Sequence, residues 1–110
     1  EVPRLNNLRR NVLDPSHFAP IKIGTFEVSI QASERACSTP RVTLDTAEGY
    51  TAFQVAIFDA SGWVQPRNDP RFAGRAWAHR FQEFGFASLG EYVPREEVGQ
   101  ILADLQGMLD

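Results

Sequence analysis

Residues 66–81 read PRNDPRFAGRAWAHRF, placing four arginines, a histidine, a tryptophan and two phenylalanines in sixteen positions of an otherwise acidic chain. Two readings compete for this stretch, a basic recognition surface and a helix that closes a core, and the fold turns on the choice. Asp69 is a good helix cap, and Pro70 suits a first helical turn, where its missing N–H removes nothing. Phe72, Ala73, Ala76, Trp77, Phe81 and Phe84 then fall on one broad apolar stripe. The spacing predicts a helix from about residue 70 to the low eighties, ending near Gly85, with its aromatic side chains in the core. Arg71, Arg75 and His79 share its outward face. With Arg67 and Arg80 they form the first candidate binding surface.

Downstream, residues 84–94 read FGFASLGEYVP, a non-periodic run with Phe84, Phe86, Leu89 and Tyr92. It is more apolar than an ordinary surface loop and is expected to cover a sheet end or to make a homodimer contact. Ser88 to Glu91 imitates a capping box, but Pro94 disfavours helical geometry at Val93. The last helix is therefore expected to start at Pro94, in PREEVGQILADLQGML. Glu96 and Glu97 sit in its first turn, where the macrodipole favours acids, and Val98, Ile101, Leu102, Leu105 and Leu109 form its buried stripe.

Upstream, TFEVSIQA from Thr25 alternates cleanly, with Phe26, Val28, Ile30 and Ala32 on one face. Ile21 and Ile23 have the opposite parity, which implies a bend or bulge near Gly24. RVTL at 41–44 is a further candidate strand, and TAEG a turn. TAFQVAIF at 51–58 reads as a central strand. DASG then returns the chain into the short strand WVQ, which Pro66 ends because it has no N–H to give a ladder. At the start, Leu5, Leu8, Val12 and Leu13 have helical spacing between Pro3 and Asp14-Pro15, predicting a short amphipathic helix that must dock to persist.

The predicted order is α-β-β-β-β-α-α over a single domain spanning 1–110. This is an α+β fold in which a small antiparallel sheet of three to four strands is packed on one face by about three helices. Glu27, Ser29, Gln31 and Gln54, beside Ala52 and Ala56, would line the other face, a second candidate surface.

Composition bounds the function. Apolar residues at 43% and charged residues at 23% are ordinary globular values, against disorder or a disulfide scaffold. No apolar run reaches a membrane span of roughly 18 residues, and the N-terminus lacks a signal-peptide core. Cys37 is the only cysteine, which fits a cytoplasmic location. Net charge is −3, yet residues 66–81 carry four arginines against one aspartate, leaving seven basic and thirteen acidic groups elsewhere. A duplex-binding surface typically neutralises roughly 6 to 10 phosphates, more than these arginines supply.

Cys37 is a candidate nucleophile, with Arg35 near in sequence, but neither His17 nor His79 carries a signature tying it to the thiol. The serines lack a nucleophile elbow, the glycines form no phosphate-binding loop, and the His and Cys spacings match no metal site. No cofactor is expected. The leading reading is thus a non-enzymatic binding or accessory module with a protein partner or a second copy of itself. A small enzyme using Cys37 with His17 or His79 and a polyanion or nucleic-acid binder through the 67–80 arginines are the alternatives.

Overall fold

The computed structural model describes Leu5 and residues 8–14 and 16–108. Six strands form one antiparallel sheet: β1 (Ile21–Ile23), β2 (Phe26–Gln31), β3 (Ala52–Asp59), β4 (Gly62–Trp63), β5 (Phe81–Phe84) and β6 (Ala87–Pro94). One long helix, α1 (Arg95–Gly107), follows. The strand order is β1-β2-β3-β6-β5, and β4 pairs with the last residues of β3. Glycine placement explains the tight connections. Ile23 faces Phe26 across Gly24 and Thr25, and Phe84 faces Ala87 across Gly85 and Phe86. Gly24 (φ 58°) and Gly85 (φ 67°) adopt the left-handed geometry that the first position of a two-residue hairpin turn demands. Asp59 and Gly62 are joined likewise across Ala60 and Ser61. These turns share one end of the sheet, the hairpin end. The connection through residues 32–51 and the segment before β1 gather at the other, the loop end.

The architecture corrects the predicted one. The sheet has six strands rather than three to four. One long helix and three short 3-10 turns, at Ala47–Gly49, Pro70–Phe72 and Ala76–Arg80, stand among the described residues in place of three helices. The stretch 70–84 is not a helix because Gly74 (φ 85°) breaks it between two 3-10 turns, and Phe81–Phe84 extends to pair with β6. Phe72, Trp77 and Phe81 are buried as expected, whereas Ala73, Ala76 and Phe84 are exposed. The inverted parity of Ile21 and Ile23 has a simple cause: residues paired across a two-residue turn point to the same face, so alternation restarts after it. The candidate strand at 41–44 is irregular.

The predicted N-terminal helix lies partly outside the described residues. Within them, residues 8–14 are not helical: Arg10 bridges Phe18, and the Asn11 N–H donates to the His17 carbonyl at 2.7 Å. Leu8 is buried, while Val12 and Leu13 project at the tip of this loop, 93% and 96% exposed.

The core lies between the inner sheet face and α1. Phe26, Val28 and Ile30 of β2 and Phe53, Val55 and Ile57 of β3 meet Val98, Ile101, Leu102 and Leu105 of the helix. A 13-residue helix is marginal alone. Its four buried side chains each contribute about 1.5–3 kcal/mol by leaving water, so docking holds the helix in place. An aromatic chain closes the flank: Phe26 to Phe72 at 6.3 Å between ring centroids, Phe72 to Trp77 at 5.5 Å, Trp77 to Phe81 at 6.0 Å. The Trp77 indole N–H donates to Asp104 Oδ2 at 2.8 Å, tying this flank to α1. No helix among the described residues is long and apolar enough to cross a membrane.

Candidate functional site: a polar cleft on the outer sheet face

The outer face carries the alternate residues of the same strands: Glu27, Ser29 and Gln31 of β2, and Ala52, Gln54, Ala56 and Phe58 of β3. Gln31 and Gln54 are cross-strand partners at the loop end. They are the floor of a cleft of about 250 Å³ walled by Asp14, Ser16 and His17 on one side and by Ser33, Arg35 and Ala36 on the other. Small neighbours such as Ala52 and Ala56 leave room above the sheet for both loops to approach.

The two amides do different work. Gln31 accepts from the Phe18 N–H at 2.8 Å and donates to the Phe18 carbonyl at 2.9 Å and to Ser29 Oγ at 3.0 Å. Its hydrogen-bonding capacity is thereby engaged in fastening the 16–18 wall. Gln54 Oε1 accepts from the Cys37 N–H at 3.1 Å, which fastens the opposite wall. The Gln54 Nε2 has no partner among the described residues. Asp14 accepts from Ser16 Oγ at 2.6 Å and lies 2.7 Å from His17 Nδ1, and its pKa is lowered, chiefly by the Ser16 hydroxyl. It is a carboxylate at neutral pH. Arg35 is exposed, and its guanidinium has no partner among the described residues.

Cys37 lies beside this cleft, in contact with an irregularity in β6. Phe53 pairs with Val93 but Val55 with Gly90, so one residue of β3, Gln54, opposes two of β6, Glu91 and Tyr92. Tyr92 takes a left-handed conformation (φ 51°), which costs a non-glycine residue about 1–2 kcal/mol. Its N–H donates to the Cys37 carbonyl at 3.0 Å. Bulges re-aim side chains, and this one brings Glu91 to Cys37. The thiol donates to Glu91 Oε2 at 3.1 Å, and that bond, with partial burial, pushes its pKa up. The geometry pairs Cys37 with a carboxylate, while His17 is bonded to Asp14 and Ser16, and His79 Nδ1 to the Ala76 carbonyl. An acceptor carboxylate favours thiol over thiolate. Alkylation of Cys37 should therefore show a midpoint above the ordinary thiol value of about 8.5, and Glu91→Gln should lower it. A wild-type midpoint at the ordinary value would show that the thiol does not donate to Glu91.

The basic residues of 67–80 are dispersed among separate acids. Arg71 bridges Asp59 at 2.9 Å and Asp69 at 2.7 Å, Arg75 lies 3.6 Å from Asp104, and Arg80 makes a two-point pair with Glu97 at 2.9 and 3.1 Å. Arg67 is exposed in the loop after β4. Hydrogen bonds from Arg71 hold the Asp59 and Asp69 pKa values down. Their contribution to stability is present above the ordinary Asp pKa of about 3.9 and is lost as pH falls through the depressed values. Asp69 does cap as predicted, accepting from the Arg71 N–H.

Of the four outer-face candidates, Gln31, Ser29 and Gln54 belong to the cleft and its supports, while Glu27 lies toward the hairpin end opposite Phe58. Asp14, Ser16, His17, Arg35 and Glu91 enter the site from loops and a bulge, without a shared local pattern. Their nearest sequence signal is the pair of long amides among small outward residues. Among the described residues, no group of three or more His, Cys, Asp or Glu side chains is placed to hold a metal ion. Comparison of the chain with protein-family models, with curated proteins and with solved structures finds no match.

Proposed function

We propose that the domain is a non-enzymatic binding module that engages a protein partner through the hairpin end of its sheet. The observation that carries this reading is the β5–β6 hairpin tip, where Phe84 is 56% and Phe86 79% exposed. Large apolar side chains held on an ordered turn favour association, because covering them removes apolar area from water. The half-buried Phe58 and Trp63 rings meet in a tilted contact at 4.5 Å between centroids at the same end of the molecule. Gln65, two residues beyond Trp63, donates to the Gly85 carbonyl at 3.0 Å and so ties the aromatic pair to the turn. Tryptophan and its aromatic neighbours are frequent anchors at interface centres. The paired arginines and the carboxylate-bound thiol give less support to polyanion binding or thiol catalysis. A single cysteine suits a reducing compartment, and the cytoplasm is the setting this reading implies.

The test is site-specific photo-crosslinking from position 86 in the full chain, with a probe at exposed Gln100 as control. The purified protein reports self-association, and cells producing it report another partner. The expected result is a discrete adduct from position 86 that Phe84→Ser suppresses. Adduct yields equal to those of the Gln100 probe in both settings would overturn the proposal.

A further inference from the structure

The cleft at the loop end carries a separate inference, because its charged and polar groups are sorted by sign. On one side stand the Arg35 guanidinium and the Gln54 Nε2, donors without a partner among the described residues. On the other stands Asp14, whose oxygens accept from Ser16 and lie beside His17 yet retain lone pairs, since a carboxylate offers roughly four acceptor sites. Gln31 between them has both side-chain N–H groups committed to Phe18 and Ser29 and forms the floor, and buried Ala36 adds an apolar wall. We propose that this cleft binds a small zwitterion, with its carboxylate on Arg35 and Gln54 and its ammonium toward Asp14.

Three features favour this class over others. A donor pole facing an acceptor pole matches a ligand of two opposite charges. A dianion such as phosphate would share the cleft with the Asp14 carboxylate, where like charges repel. The volume, about 250 Å³, falls below the roughly 300 Å³ at which pockets begin to take drug-sized molecules, so a ligand of a few heavy atoms on the scale of a simple amino acid suits it. Both walls are fixed to the sheet by amide hydrogen bonds, so the two poles are held apart before a ligand arrives. Such preorganisation reduces the ordering cost of binding.

The experiment is a titration of the 15N-labelled protein with glycine, acetate, methylamine and inorganic phosphate, followed by amide and side-chain NH2 resonances. Glycine is expected to produce saturable shifts at Gln54 Nε2 and through residues 33–37, at least about fivefold tighter than acetate or methylamine. Arg35→Gln and Asp14→Asn, both at exposed positions, should each weaken glycine about tenfold, the loss of one charge-assisted hydrogen bond of about 1.4 kcal/mol. The same spectra verify that each variant is folded. Absence of saturable shifts with glycine, equal affinity for acetate, tighter binding of phosphate, or variants that bind glycine as well as the wild type would each overturn the proposal. None of these outcomes bears on crosslinking at the hairpin end.

Discussion

Trp77→Ala is expected to destabilise the domain by about 3–5 kcal/mol, the usual cost of truncating a large buried aromatic residue. The indole is 1% exposed, meets Phe72 in a tilted contact and packs edge-on against Phe81. Its loss opens a cavity between the 3-10 turn, β5 and α1, and it also deprives Asp104 of its 2.8 Å donor. For a domain of this size 1 kcal/mol moves the melting temperature by roughly 4 °C or more, so a drop of at least about 12 °C should appear in thermal unfolding followed by circular dichroism. Trp77→Phe should recover part of it, since the ring returns but not the N–H. A loss below about 1 kcal/mol for the alanine variant would mean that the aromatic chain is not the closure of the core described above.

Removing one oxygen atom should have the next largest effect. The Tyr50 hydroxyl, on a residue 1% exposed, accepts from the Leu44 N–H at 2.7 Å and from Arg10 at 3.0 Å, and donates to the Val42 carbonyl at 2.6 Å. Arg10, far away in sequence, and the nearby 42–44 segment meet at that atom. Tyr50→Phe keeps the ring packed edge-on against Phe18 but leaves these groups without it. Each partner left unsatisfied costs about 1–3 kcal/mol where water cannot replace the hydroxyl. A total near 2–3 kcal/mol is expected in urea unfolding with an unchanged slope. A midpoint equal to that of the wild type would indicate that solvent substitutes freely there. Leu44 also accepts from Arg10 Nε at 2.9 Å, so Arg10 retains part of its anchorage in the variant.

Where alternation or helical spacing ran unbroken, the sequence was a sound guide. Val98, Ile101, Leu102 and Leu105 lie inside as their spacing implies, and β2 and β3 present the expected faces. The errors arose at turns. Gly85 and Phe86 form a two-residue reversal that converts an apparently aperiodic apolar run into two paired strands, and a helical stripe drawn from Phe72 to Phe84 crosses both Gly74 and the start of β5. Apolar residues at helical spacing did not guarantee burial either, as Val12 and Leu13 demonstrate at their loop tip. Of the candidate site, alternation assigns Gln31 and Gln54 to one shared sheet face, where they are cross-strand partners, but implies an open surface. The walls come from Asp14, Ser16 and His17 and from Ser33, Arg35 and Ala36, brought over the sheet by contacts that no local period encodes. The bulge in β6 is similarly hidden, since an extra residue changes which neighbours meet without altering composition.

The two hydrogen bonds between the Gln31 amide and Phe18 join donor to acceptor in both directions, as an adjoining strand would. A side chain can release such a link by rotating, which a strand cannot do without losing its register. Rotation of Gln31 would thus free the Phe18 backbone from β2, while the bonds of Arg10 to Leu44 and Tyr50 keep the neighbouring segment in place. Amide exchange at Phe18 would then report a local opening equilibrium distinct from global unfolding. A ligand that spans the two walls would slow that exchange in proportion to its occupancy, so the molecule carries its own gauge of whether the cleft is filled.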